Sequence, residues 1–559
     1  MGEKKPRGGL ALGLVLLGLG LLWFSCRRLA GPPGAANPSS ITISKETTWL
    51  TEPIDADGFV DYLAAINRMA GQGVRPEDNA AVPLVEAFGP GFLAGVDQEF
   101  CALLGIPLPL AEGNYFAPLD RFDKLSSSAR RGPVGPGAAI GPPMTLADQL
   151  AQALVRPWNP REFPVVAQWL AENERHLAAF VAASRRPRCY WPRVRAVQPA
   201  TLAAAVHRWP IHFREAGNAL AVRAMLRLHA QDMAKAWDDL EACHRLGRLI
   251  AQGPTIADLM QGFALHGVAC QAETALAVHG RMTSAQALKR IQQLRALPPW
   301  PAAAERMNNA ERWVLLGTIS ELARFGPGND LANHGRGLGV ARLESLDDRP
   351  QAWIPGLDQL GLALGNAATD WDEALRLANA WMNRIRDALA RPDRAERAVA
   401  TRSLYQELTR PGSGSLLGDF AQGVRSGRSP RKVMAERTVQ ALVPRFAPIL
   451  AILPTAEDRA DAQFHLAIAS LALAAYRADH GSFPETLAEL CPKYLAGLPR
   501  DIYGDGPFQY RRSADGFLLY SVGSNGRDDG GRSHPSRFDL TDAADDLVVG
   551  AIKDSDPKR

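Results

Sequence analysis

The sequence predicts a multidomain chain: an N-terminal transmembrane helix, a large mainly α-helical domain, and a small C-terminal α+β domain. Three observations carry this reading. Residues 8–26 form a run without charge between Arg7 and Arg27. Apolar residues recur at helical spacing from about Glu46 to Leu453. Near the C-terminus, two β-prone runs flank Asp515-Gly516 and follow a last amphipathic pattern.

At 559 residues, with 46% hydrophobic and 22% charged content, the chain has room for several domains. Its net charge of +4 is small for that length and indicates no nucleic-acid footprint. Lys4, Lys5 and Arg7 precede the apolar run, and Trp23 sits where an interfacial ring is expected. A single span needs about 20 residues, so residues 1–28 read as a signal anchor. A cleaved signal peptide is the alternative. Leu29-Ala30-Gly31 is a weak cleavage site, and Trp23-Phe24-Ser25 before Cys26 suits a lipoprotein poorly. The expected localisation is the cell membrane, single-pass, with most of the chain extracytoplasmic.

Residues 29–45, with Pro32-Pro33-Gly34, read as a linker, and 46–453 as the helical domain. A helix is expected over 55–69, with Phe59, Tyr62, Leu63 and Ile66 on one face, and another over 79–88. Pro/Gly-rich breaks at 131–143, 326–339 and 411–429 read as surface loops. Residues 215–280 look like a tetratricopeptide hairpin, with small Ala224 and Ala236 at the contact. An array needs about three copies, so a generic helical domain is favoured. The opening of this region resembles uncharacterised membrane-anchored bacterial proteins, which implies no activity.

In the C-terminal domain, 455–550, Thr455 and Asp458 give a capping signal, and Phe464, Ile468, Leu471 and Ala475 continue a helix over 456–479 until Gly481 stops it. Pro484 and Glu485 open a short helix that Cys491-Pro492 closes. Residues 508–512 and 517–522 should pair as a hairpin. Residues 551–559 read as a disordered tail.

This stretch resembles the globular domain of the type II secretion major pseudopilin. The resemblance rests on Tyr476, His480, Gly481, Pro484, Leu487, Tyr494, Leu495, Leu498, Pro499, Asp501, Gly504, Gln509, Tyr510, Leu519, Tyr520, Ser521 and Gly523. It implies a structural calcium ion held by Asn525, Asp528, Asp529, Asp545 and Asp546. Hard cations take several oxygens from a flexible loop, although a solvated loop of turn-forming residues fits the same composition. The family usually has Asp where Asn525 stands, and the 532–544 insert is longer and carries Arg532 and Arg537. The anchor lies far upstream and lacks the family's processing signal, so polymerisation as a pilus subunit is not expected.

Motifs for nucleotide, zinc-protease or hydrolase chemistry are absent from the sequence. Gly335 to Gly339 is glycine-rich but follows Asn333-His334, so it reads as a loop. The eleven histidines show no ligand spacing, with His229, His244 and His266 single in helices. Cys101, Cys189, Cys243, Cys270 and Cys491 are an odd number beyond the anchor. Cys243 and Cys270 are the one plausible bridge, and isolated thiols the favoured reading. The expected function is a non-enzymatic, membrane-anchored envelope protein that displays the pseudopilin-like module for binding or assembly, with partners in the envelope or secretion apparatus and none among nucleic acids. The alternative is an exported enzyme with an active site in the helical domain.

Overall fold

The computed structural model describes residues 41–93, 97–122, 144–195, 202–206, 212–325, 369–410, 425–513, 516–532 and 545–550. The expected anchor, the Pro/Gly breaks other than 425–429, most of the 532–544 insert and the tail lie outside these residues. The described chain is mainly helical, with one small antiparallel sheet near the C-terminus. It divides into two compact units, one of Met1–Arg68, Arg195–Arg208 and Ala304–Leu450, the other of Met69–Val194, Trp209–Ala303 and Ala451–Arg559.

In the first unit, the helix Trp371–Leu389 opens on Asp370, whose side chain accepts the Glu373 amide. It buries Trp371, Ala374, Leu375, Ala378, Met382 and Ile385, the stripe of an amphipathic helix. Arg312 is buried against it and donates to the side-chain oxygens of Asn379 at 2.9 Å, Asn308 at 3.0 Å and Asn383 at 2.7 Å. Its guanidinium lies 3.9 Å from the centre of the Trp49 ring. The helix expected over 55–69 begins only at Tyr62. Ahead of it, the Asp55 carboxylate accepts the amides of Asp57 and Phe59, and Ile54 bridges Val60. A local side-chain turn with Gly58 at φ +85° thus wins over helix.

The second unit is built around α1 (His212–His229), α2 (Met233–Ile250), α3 (Ile256–His279) and α4 (Ser284–Arg295). The Asp232 side chain caps α2, and capping boxes, Thr255 with Asp258 and Thr283 with Gln286, open α3 and α4. Helices α2 and α3 come into close contact at two glycines. A Cβ on Gly262 would meet Gly247 O at 2.6 Å, and one on Gly247 would meet Gly262 O at 2.9 Å.

The last helix, α5 (Ala447–His480), starts earlier than 456. Thr455 does not cap it: its hydroxyl donates to Ala451 O at 3.2 Å inside the helix, one residue after Pro454. The apolar residues before Pro454, with Leu450 and Leu453 buried, carry the helix through. The run Pro430–His480 is long and apolar enough to cross a membrane by length and composition, since it contains an 18-residue window with a mean hydropathy of 1.4, 39% of which is buried. Core helices pass the same test, and Leu466, Ile468, Leu471 and Leu473 of α5 are buried.

Arg477 of α5 donates to Val278 O at 3.0 Å and Gly280 O at 2.9 Å, so it satisfies carbonyls at the end of α3. Gly481 then stops α5 at φ +76°. The expected short helix is the 3-10 turn Leu487–Leu490, opened by a Thr486 and Glu489 capping box. Strands β1 (Gln509–Arg512), β2 (Phe517–Ser521) and β3 (Leu547–Val549) pair antiparallel in that order. Gln509 faces Tyr520, and Leu519 faces Val549. Central β2 is buried along its whole length.

Candidate functional site

The loop after β2 holds the sequence-predicted residues. Gly523, Gly526, Gly530 and Gly531 all adopt positive φ, so the backbone turns repeatedly in a conformation that other residues avoid. At Gly523 a Cβ would sit 2.4 Å from Asp545 O and Oδ1, which draws the segment before β3 tightly against the turn. The Asp545 carboxylate accepts the Ser524 amide at 2.8 Å, the Ser524 hydroxyl at 2.6 Å and the Asn525 amide at 3.2 Å. Asn525 Nδ2 donates to Asp529 Oδ2 at 2.9 Å. Asp528 Oδ1 accepts the Tyr520 hydroxyl at 2.8 Å and the Gly530 amide at 2.9 Å.

Asp546 stands apart. Its side chain is buried, Oδ2 accepts the Gly531 amide at 2.8 Å, and Oδ1 has no hydrogen-bond partner. Burial pushes this carboxyl above the usual carboxylate range, and Asp529 and Asp528 add to the rise against the Gly531 and Asp529 amides. All five predicted residues therefore flank one loop. Most of the carboxylate oxygens already hold protein donors, and no three of the carboxylates offer oxygens mutually within 4.8 Å.

A second constellation lies between α2 and α3, where sequence reading saw only single histidines. His244 Nδ1 and His266 Nδ1 are 3.0 Å apart, and His266 Nε2 is 3.4 Å from Cys270 Sγ. All three residues are buried. Burial holds both imidazoles well below the ordinary histidine range, so they are neutral, and pushes the Cys270 thiol well up. Glu273 lies one turn beyond Cys270, its Oε1 3.8 Å from His244 Nε2 and 2.9 Å from Arg290 Nε. On the other side, the Arg248 guanidinium stacks 3.3 Å from the Trp300 ring centre, and the Trp300 ring packs edge-on to His266 at 5.2 Å. The available signal was His266, Cys270 and Glu273 at i, i+4 and i+7 on one helix face. The partner, His244, comes from another helix, which spacing along the chain does not reveal.

Cys243 and Cys270 are both free, buried thiols. An open depression of about 560 Å³ lies beside the end of α3, with His279, Arg281, Thr283, Gln286 and Arg477 among its lining residues. It presents cations and amides but no carboxylate.

No protein-family model, curated protein or solved structure matches the chain.

Proposed function

We propose that the chain is a membrane-anchored, extracytoplasmic, non-enzymatic envelope protein whose C-terminal pseudopilin-like module serves binding or assembly, with calcium closing its acidic loop. The observation that carries the calcium reading is the buried, partnerless Oδ1 of Asp546 beside Asp528 and Asp529. Such an oxygen is costly to leave unmade, and a hard cation would satisfy it while cancelling the repulsion among the acids. The order of α5, 3-10 turn and antiparallel sheet is the order that the resemblance implies, and it supports the module reading. Among the described residues, the titratable cluster between the helices is shut away from solvent, which does not favour the exported-enzyme reading.

Thermal melts of the full chain with calcium, with chelator and with sodium chloride at matched ionic strength test the loop. At a thousandfold excess over its dissociation constant, a ligand of the folded form adds about 4 kcal/mol. Asp546→Ala should remove most of that gain, whereas Asp238→Ala, on an exposed face of α2, should not. Coincident calcium and chelator curves would rule the site out. Protease treatment of cells with an opened outer envelope tests the topology, and a fully protected C-terminal module would refute it.

A further inference from the structure

We propose that His244, His266 and Cys270 are the ligands of a buried transition-metal site of the zinc class, with Glu273 as the outer carboxylate that orients His244. One potential ligand atom from each of the three lies within 4.8 Å of the others, and no other His, Cys, Asp or Glu triad among the described residues does so. Two imidazoles and a thiolate form a borderline-to-soft set, which suits zinc or cobalt and not an oxygen-seeking cation such as calcium.

The spacing fits. An ion about 2.0–2.1 Å from nitrogen and about 2.3 Å from sulfur in tetrahedral geometry sets its ligands roughly 3.3–3.6 Å apart. The two Nδ1 atoms stand at 3.0 Å, and Cys270 Sγ is 3.4 Å from the other nitrogen of His266, Nε2. Coordination then requires the His266 ring to turn so that a single nitrogen faces both His244 Nδ1 and Cys270 Sγ, all three ligand atoms already lying within 4.8 Å of one another.

The surroundings fit as well. A metal-bound histidine generally donates its second ring N–H to a carboxylate. His244 Nε2 and Glu273 Oε2 are both buried without a hydrogen bond, and Glu273 Oε1 lies 3.8 Å from His244 Nε2. Metal at Nδ1 places the proton on Nε2, facing that carboxylate, while Arg290 holds Glu273 in place. Binding of the divalent ion displaces the Cys270 thiol proton to solvent, so the sulfur binds as thiolate. Since His244 belongs to α2 and the other two ligands to α3, the ion pins the two helices together.

The test uses the full chain, expressed in cells supplied with cobalt in place of zinc and purified without unfolding. The expected result is one cobalt per chain with a thiolate-to-cobalt charge-transfer band. Cys270→Ser should abolish the band, His244→Gln should lose at least tenfold in metal affinity, and Asp238→Asn, at an exposed position of α2, should change neither. Soluble, folded protein with neither cobalt nor zinc overturns the proposal. So does a band that survives Cys270→Ser, or bound cobalt with no charge-transfer band. If Cys270→Ser fails to fold, His244→Gln decides: unchanged metal content and affinity in that variant refute the site.

Discussion

Arg193 Nη2 and Asp258 Oδ1 form an ion pair at 2.6 Å in which neither side chain is more than 1% exposed. The same carboxylate accepts the Thr255 amide through Oδ2 at 2.9 Å, so it both opens α3 and neutralises a buried guanidinium. Removing one partner of a buried pair typically costs about 3–5 kcal/mol. Asp258→Ala should lose stability in that range in denaturant titrations. Pairing it with Arg193→Met should recover part of the loss. A loss under about 1 kcal/mol for the single variant would show that the pair is not structural.

The crossing of α2 and α3 rests on Gly247 and Gly262. A methyl group at Gly262 would sit 2.6 Å from Gly247 O on the facing helix and 2.8 Å from the Cβ of Ala251, the residue that ends it. Neither is the far end of a flexible side chain, so the helices must separate. Overpacking of this kind costs about 1–3 kcal/mol. Gly262→Ala should destabilise by that amount, whereas Gly497→Ala, which meets nothing within 4 Å, should stay within about 0.5 kcal/mol. Equal melting of the two variants would mean that the contact is looser than the geometry states.

Much of this unit is legible in local pattern. The hairpin partners at 508–512 and 517–522, the stop at Gly481 and the burial of Ala224 and Ala236 follow from turn chemistry and periodicity. The failures share one cause. The Thr455 cap, the early start of the 55–69 helix and the isolation of His244 all rest on neighbours in sequence. The outcome at each was set by tertiary burial or by a single side chain bonding nearby backbone. The turns of the C-terminal loop are readable because Gly, Asn and Asp at close spacing report local geometry. The His244 and His266 contact joins two helices and leaves no such trace.

Alkaline stability provides a further check. Burial pushes the Cys189 thiol and the Tyr190 phenol each up to about 12, with Asp258 adding to the rise at Cys189 and Arg193 opposing both. In the unfolded chain these groups ionise at about 9 and 10. The folded state therefore holds more protons than the unfolded state across that window. Their contribution is fully present below about pH 9 and is lost as pH rises towards 12. Denaturant midpoints should fall above pH 9, and Cys189→Ala should flatten the first part of the fall. Native thiol labelling near neutral pH should favour half-buried Cys491 over the buried Cys101 and Cys189. Fast labelling of Cys189 in the native protein would contradict the burial.

Asp501 gathers the backbone that carries β2 into the acidic loop. Its Oδ1 accepts the Ser521 hydroxyl at 2.7 Å and the Tyr503 amide at 3.1 Å, and Oδ2 accepts the Val522 amide at 2.9 Å, with the residue only 4% exposed. Asp501→Ala orphans three donors, two of them main-chain, and each buried donor left unmade costs about 1–3 kcal/mol. Asp501→Asn is a poor rescue, because one of the two terminal positions becomes a donor facing donors. Hydrogen exchange of the full chain should speed up in the peptide over 517–523 in both variants, more in Ala, while peptides from α2 and α3 keep their protection. The loop that begins at Gly523 is then no longer fixed to the strand before it, so under the calcium proposal the gain in melting temperature expected from the ion should shrink together with the lost protection. Unchanged exchange at Val522 in Asp501→Ala would show that β2 is held by its ladder to β1 and β3 alone.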